Sequence, residues 1–336
     1  MNYRALAGIF LLLCGPAQAA RQIMDDAGNQ IQLPDKVTHI ADGWFAHPTL
    51  LMALGAGNQI TATADRPADH PWMFRVQPSL NKALLAHGTT FNSEELLARG
   101  TDVMFVAKGN PDAASYRQAT IPTVEISFND FPSMQKALNL TAQVLGTPEA
   151  KARAAAYNHY LDQQVTTLSA RTAHLSIQQR PSVLHIQSLN PLKVDGSGTL
   201  IDSWIKLAGG RNAAGSVKGN MKEVSPELIL SWQPDIIILG SGCGTLASSR
   251  YGELFASLPA VKNGKVWANP AGVFPWDRYG VESALQIQWA ATRLHPELFK
   301  DIDISARTRD FYRQFFNYPL NADEAQRILA GLPPRT

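Results

Sequence analysis

Three stretches of this sequence concentrate the side chains that can do chemistry. Asp42-Gly43-Trp44-Phe45-Ala46-His47-Pro48 sets two adjacent aromatics beside a histidine. The stretch Asp65 to Arg75 carries Arg66, His70, Trp72 and Arg75, and Trp267 to Gly280 ends on Trp276-Asp277-Arg278-Tyr279. Aromatic faces stack on planar rings. A guanidinium fork pairs with two oxygens of an anion, and imidazole suits nickel, cobalt or haem iron. These groups suit the capture of a charged small molecule. Signatures of turnover are missing: there is no His-Glu-x-x-His, no Gly-x-Ser-x-Gly elbow, and Asp195-Gly196-Ser197-Gly198 lacks the Gly-Lys-Ser/Thr of a phosphate loop.

The candidate ligand-binding residues are Trp44, Phe45, Arg66, Trp72, Lys108, Asn190, Trp276, Arg278 and Tyr279. Two adjacent aromatics are costly to expose, so Trp44 or Phe45 faces ligand or core. Arg66 or Arg75 would pair with an anionic ligand, or else is a solvated surface charge. Trp276 and Tyr279 would stack on a ligand or close a core, and Arg278 would neutralise charge or pair with Asp277. His47 and His70 are the candidate metal ligands, against loop or capping roles. An exported metal-dependent hydrolase built on these histidines and an aspartate is the distant alternative.

These loops must sit on elements that alternate along the chain. Short apolar runs read as strands at Val37–Ala41, Ile60–Ala64, Val103–Val106 and Thr123–Ile126, then at Ser182–Ile186, Ile236–Leu239 and Lys265–Trp267, with amphipathic segments between them. That order predicts an α/β fold with largely parallel sheets. An internal repeat divides it in two. The run Asn92 to Val106 aligns without gaps on Ser225 to Leu239, placing Glu94 on Glu227 and Asp102 on Asp235. Each copy opens on an N-cap residue, with the glutamate near the positive helix end. Val37-Thr-His-Ile40 and Val183-Leu-His-Ile186 are a weaker echo. From Thr147-Pro148-Glu149 onward a single helix is predicted, with an N-cap, a proline at N1 and an acidic first turn.

The N-terminus predicts export. Arg4, the apolar run Ala5–Leu13 and Ala17-Gln18-Ala19 form a signal peptide over residues 1–19, too short to span a membrane. Leu13 before Cys14 argues against a lipobox. Cys243 is then the sole cysteine, so the mature chain has no internal disulfide and no thiolate zinc site. The charge, +2 from 30 basic and 28 acidic residues without a basic run, argues against nucleic-acid binding.

Matched glutamates in two α/β lobes, one long connecting helix and an exported chain resemble the class III periplasmic substrate-binding proteins. The resemblance extends to Ile23–Pro34 with its Asp-x-x-Gly hairpin, Leu54-Gly55-Ala56, and Leu258–Trp267. It implies two Rossmann-like lobes, residues 20–147 and 176–336, joined by a helix over 148–175, with the ligand cleft between them. It further implies a monomeric, non-enzymatic periplasmic subunit without an intrinsic cofactor, which passes a metal chelate to an ABC importer. Glu94 and Glu227 would dock on arginines of the permease dimer. A ferric siderophore is the leading cargo. Nickel or cobalt complexes, haem, cobalamin and molybdate are the alternatives, and Tyr279 could ligate iron through its phenolate as in some relatives.

Overall fold

A computed structural model describes residues 21–335. The expected signal peptide and Cys14 lie outside the described residues. The described residues open with the hairpin β1 (Arg21–Met24) and β2 (Gln30–Leu33). A five-stranded parallel sheet follows: β3 (Ile40–Asp42), β4 (Ile60–Thr63), β5 (Leu84–Leu85), β6 (Val103–Ala107) and β7 (Thr123–Ile126), in the order β5-β4-β3-β6-β7. Helices α1 (Pro48–Ala53), α2 (Pro71–Val76), α3 (Ser93–Ala98), α4 (Ala113–Gln118) and α5 (Phe131–Leu145) connect and cover it. The direction of winding reverses between β3 and β6. Ligands of open α/β sheets settle at such switch points.

The first central strand begins later than its apolar run. Val37–Ala41 was expected; the strand is Ile40–Asp42. The physical reason is Asp102, whose Oδ2 accepts from the amides of Thr38 (2.7 Å) and His39 (2.9 Å), removing them from the ladder. The repeated aspartate works alike in the second lobe, where Asp235 Oδ2 accepts from the Ser182 amide at 2.8 Å. The capped helices also match. Asn92 Oδ1 accepts from the Glu94 amide at 2.8 Å, and Ser225 Oγ from the Leu228 amide at 3.3 Å.

The connecting helix α6 runs from Pro148 to Thr172, 25 residues or about 37 Å. Thr147 Oγ1 caps it through the Ala150 amide. Its Arg153 donates from Nε to the Ala53 carbonyl (2.8 Å) and from Nη2 to the Phe315 carbonyl (2.9 Å), so the helix is bonded to both lobes.

The second lobe holds β8 (Ser182–Leu189), β9 (Leu192–Val194), β10 (Arg211–Asn212), β11 (Lys222–Glu223), β12 (Ile236–Leu239) and β13 (Val266–Ala268). Their order is β11-β9-β8-β12-β13, with β10 also on β8. Pairs β8–β12 and β12–β13 are parallel, while β8–β9 and β9–β11 are antiparallel. Helices α7 (Leu200–Leu207), α8 (Pro226–Trp232), α9 (Pro259–Lys262), α10 (Ser283–Leu294), α11 (Ile304–Phe315) and α12 (Ala322–Leu329) complete it. One apolar core, including Ile40, Leu50, Tyr157, Trp204, Trp276 and Phe311, is continuous through both lobes. Among the described residues no helix is long and apolar enough to cross a membrane.

Candidate functional site

The loops that leave the carboxyl ends of β3 and β7, and strand β8 itself through His185 and Gln187, meet the Phe274–Tyr279 loop where the two lobes touch. Trp44, two residues past β3, is half-buried. Its ring lies 5.4 Å from Phe128 of the same lobe and 6.4 Å from Tyr279 of the other, and Phe128 and Tyr279 are 5.5 Å apart. These are contact distances for aromatic rings. The three side chains therefore close the seam across the lobes. Beside them the Val281 amide donates to Thr49 Oγ1 at 3.1 Å, and Tyr157 of α6 donates to the Val281 carbonyl at 2.6 Å.

Tyr279 accepts from Asn220 Nδ2 at 2.6 Å. Burial pushes its phenol pKa up, so the side chain keeps its proton. Arg278 lies 5.7 Å from the Tyr279 ring centre. Its side chain is 10% exposed and is held through Nη1 alone, by Asp195 Oδ2 at 2.9 Å and Gln187 Oε1 at 3.3 Å. Among the described residues no acceptor is hydrogen-bonded to its Nε or Nη2. A buried guanidinium with donors to spare is suited to an anion.

Beneath Arg278 is a buried group of charges, in which Asp277 Oδ1 has no hydrogen-bond partner among the described residues. His185, fully buried on β8, contacts Asp195 Oδ2 through Nδ1 (2.8 Å) and Asp277 Oδ2 through Nε2 (2.7 Å). Burial opposes the charged imidazole, but the two carboxylates outweigh it and raise the pKa to about 9. Burial would also raise Asp195, yet His185 and Arg278 hold it well below its ordinary value.

Several expected roles need correction. Trp72 is 2% exposed and donates from Nε1 to the Leu332 carbonyl at 2.8 Å, so it anchors the C-terminal segment instead of lining the seam. Trp276 is fully buried, with Nε1 3.0 Å from Glu282 Oε1. Glu282 also accepts from the amides of Val273 and Phe274 and from the Tyr312 hydroxyl, so Trp276 belongs to the clamp that shapes the loop. Arg278 pairs with Asp195, not with its neighbour Asp277, because Asp277 is turned onto His185. His47 is fully buried, bonded to Asp42 Oδ2 (2.6 Å) and Thr141 Oγ1 (3.0 Å), which leaves no ring nitrogen for a metal. His70 sits 3.3 Å from Asp65 and packs on Phe274 of the other lobe at 4.9 Å. Burial lowers its pKa. Among the described residues no cluster of three His, Cys, Asp or Glu is placed to hold a metal ion.

The other candidates stand apart from the aromatic seam. Phe45 is 39% exposed. Arg66 is exposed and donates to the Ala86 carbonyl at 2.6 Å. Lys108 is exposed immediately beyond β6, and Asn190 is exposed in the β8–β9 turn. Glu94 and Glu227 are exposed at the second positions of α3 and α8. Sequence reasoning missed Phe128, Gln187 as a partner, Asn220, Asp195 and His185. The strand before Phe128 was legible, and the His185 echo was visible; the convergence of their side chains was not.

A two-lobed α/β body with its candidate site in the seam defines a substrate-binding protein of the class III type. Comparison with known proteins agrees. The sequence model of the periplasmic binding proteins matches residues 49–271, and the chain belongs to that family. It is 26% identical over 352 aligned positions to the molybdate-binding protein MolA of Haemophilus influenzae, covering 93% of this chain and 95% of the relative. The structure of MolA bound to molybdate superposes with a TM-score of 0.79 at 22% identity, over 90% of this chain and 99% of that one. A periplasmic solute binding protein of Veillonella parvula gives 0.78 at 23% identity, over 92% and 96%. CeuE of Helicobacter pylori with Ni(II) bound gives 0.72 at 18%, over 92% and 99%. Proteins of this family carry a transported ligand and not an intrinsic cofactor.

Proposed function

We propose that this protein is the periplasmic capture subunit of an ABC importer and that its cargo is a small oxyanion of the molybdate type. The observation that carries this reading is the closed aromatic seam beside one guanidinium with spare donors. With Trp44, Phe128 and Tyr279 in mutual contact, a flat macrocycle or a bulky ferric siderophore would have to force the lobes apart. The helix α6 is bonded to both lobes and resists that. A small anion needs only local space. Arg278 would supply charge-assisted bonds from Nε and Nη2, and a protonated Tyr279 would donate its hydroxyl. A phenol kept neutral suits donation to an anion oxygen better than ligation of iron. The full-length similarity to MolA favours the same cargo class.

Delivery would use the exposed Glu94 and Glu227, one per lobe, as paired contacts for a permease dimer, with the carrier acting as a monomer. A test is a titration of the purified mature protein, followed by tryptophan fluorescence and thermal stability. The panel holds molybdate, tungstate, sulfate, nickel with and without histidine, haem, cobalamin and a ferric catecholate. The reading expects saturable quenching and a raised Tm with molybdate or tungstate. Saturable binding of a ferric chelate, haem or cobalamin, without oxyanion binding, would contradict it.

A further inference from the structure

We propose that His185, which lies one layer beneath the seam, is the positioning residue for anion capture: it fixes Asp195, and Asp195 fixes the Arg278 guanidinium. This rests on the oxyanion reading above. The geometry is a relay of three contacts, from Asp277 Oδ2 to His185 Nε2 (2.7 Å), His185 Nδ1 to Asp195 Oδ2 (2.8 Å), and Asp195 Oδ2 to Arg278 Nη1 (2.9 Å). Asp195 is fully buried and its other oxygen is also taken, by the Met221 amide at 2.8 Å. It therefore has one orientation, and together with Gln187 Oε1 it pins the guanidinium at Nη1, leaving Nε and Nη2 for an anion. Trp204 fixes the far end, its Nε1 donating to the Asp277 carbonyl at 3.3 Å, with its ring edge-on to His185 at 5.9 Å.

Charge explains why the third layer is a histidine. Both ring nitrogens face carboxylates, so both donate and the ring is an imidazolium. Imidazolium and guanidinium then balance Asp195 and Asp277, and the group sums to zero. Without the imidazolium, two buried carboxylates face one guanidinium, and the surplus negative charge opposes an incoming anion. His185 makes no contact with the seam itself, so its effect on binding must pass through Asp195 and Arg278.

The test compares oxyanion affinity, with molybdate as probe, in His185→Asn, His185→Gln, Arg278→Gln and the double variant H185Q/R278Q. An asparagine amide nitrogen falls near imidazole Nδ1 and keeps the donor to Asp195; a glutamine amide falls near Nε2 and keeps only the donor to Asp277. Both lose the charge. The proposal expects H185Q to weaken binding about 10–100-fold, by analogy with residues that orient the ligands of a metal ion. It expects H185N to recover at least about threefold of that. In the R278Q background, read at millimolar molybdate, H185Q should cost less than about twofold. Equal losses in H185N and H185Q, or an undiminished H185Q loss beside R278Q, overturn it.

A measurement on the unaltered protein guards against variants that fail to fold. With 15N-labelled histidine, both His185 nitrogens should carry protons, and their resonances should shift when molybdate saturates the protein. Resonances unmoved by saturating molybdate overturn the relay while leaving the cargo reading intact. Failure of the native protein to bind any oxyanion fells both together.

Discussion

Trp44 of the first lobe and Tyr279 of the second face each other with ring centres 6.4 Å apart, and Phe128 touches both. Arg278 lies 5.7 Å from the Tyr279 ring centre, so an anion held by it would sit beside this contact. Trp44→Ala should therefore remove most of the fluorescence change on oxyanion binding and weaken binding by less than Arg278→Gln does. An unchanged fluorescence response in W44A would place the cargo elsewhere.

Tyr279→Phe removes the hydroxyl that would donate to the anion and also frees Asn220. A hydrogen bond to a charged group contributes about 1.5–3 kcal/mol. Calorimetric affinity for molybdate should fall by a corresponding amount, with a modest fall in Tm from the unpaired Asn220 amide. An affinity within twofold of the parent would remove Tyr279 from the contact set.

Trp276→Phe tests the opposite assignment. The indole nitrogen contacts Glu282, not cargo. The substitution should lower stability by about 1–2 kcal/mol, as one donor is lost from a buried carboxylate. Molybdate affinity should stay within about twofold, since complementary loop donors from Val273 and Phe274 remain. A selective loss of affinity would return Trp276 to the binding surface.

The two central strands show what a sequence discloses and what it withholds. The repeat predicted α3 with β6 and α8 with β12, and those elements form with matching caps and aspartates. Local physics governs them, through apolar runs, N-cap oxygens and a proline at N1. The site is different in kind. His185 and Asp277 are 92 residues apart and meet only because the 274–279 loop folds back over β8. Trp72 and Trp276 carried a binding signature by residue type, yet tertiary packing claimed both. Arg278 and Tyr279 lay in the most aromatic stretch, so their neighbourhood was legible though the partner Asp195 was not. The exposed positions Phe45, Arg66, Lys108 and Asn190 remain proposals as cleft-rim contacts.

Stability should depend on pH in a defined way. His185 titrates near 6.5 when unfolded and near 9 when folded. Its raised value contributes stability that is complete below pH 6.5 and is lost as pH rises through 9. Glu282, raised by burial to about 7, also favours the native state while protonated, and that contribution fades from about pH 4.5 to 7. Asp195, held low, acts oppositely: its contribution is present above its ordinary value and lost in acid. Tm should therefore fall between pH 7 and 9.5 in the native protein, and His185→Gln should flatten that fall. A Tm equally steep in H185Q would detach the alkaline loss from His185.

Charge reversal at the lobe tips should separate docking from capture. Glu94→Lys and Glu227→Lys lie on exposed helix starts away from the seam. Each should leave molybdate affinity unchanged while reducing importer ATPase stimulation several-fold, because the proposed docking would lose one of two matched charges and gain a repulsion. Full stimulation by the double variant would move docking to another surface.

Bound metal should be counted directly. The purified mature protein is dialysed to equilibrium against a mixture of molybdate, sulfate, nickel-histidine and a ferric catecholate at equal micromolar concentrations, and the retained elements are quantified. The proposed function predicts one molybdenum per chain, displaced by tungstate and reduced at least tenfold in Arg278→Gln. Retained iron or nickel in place of molybdenum, or molybdenum retained equally by Arg278→Gln, would contradict it.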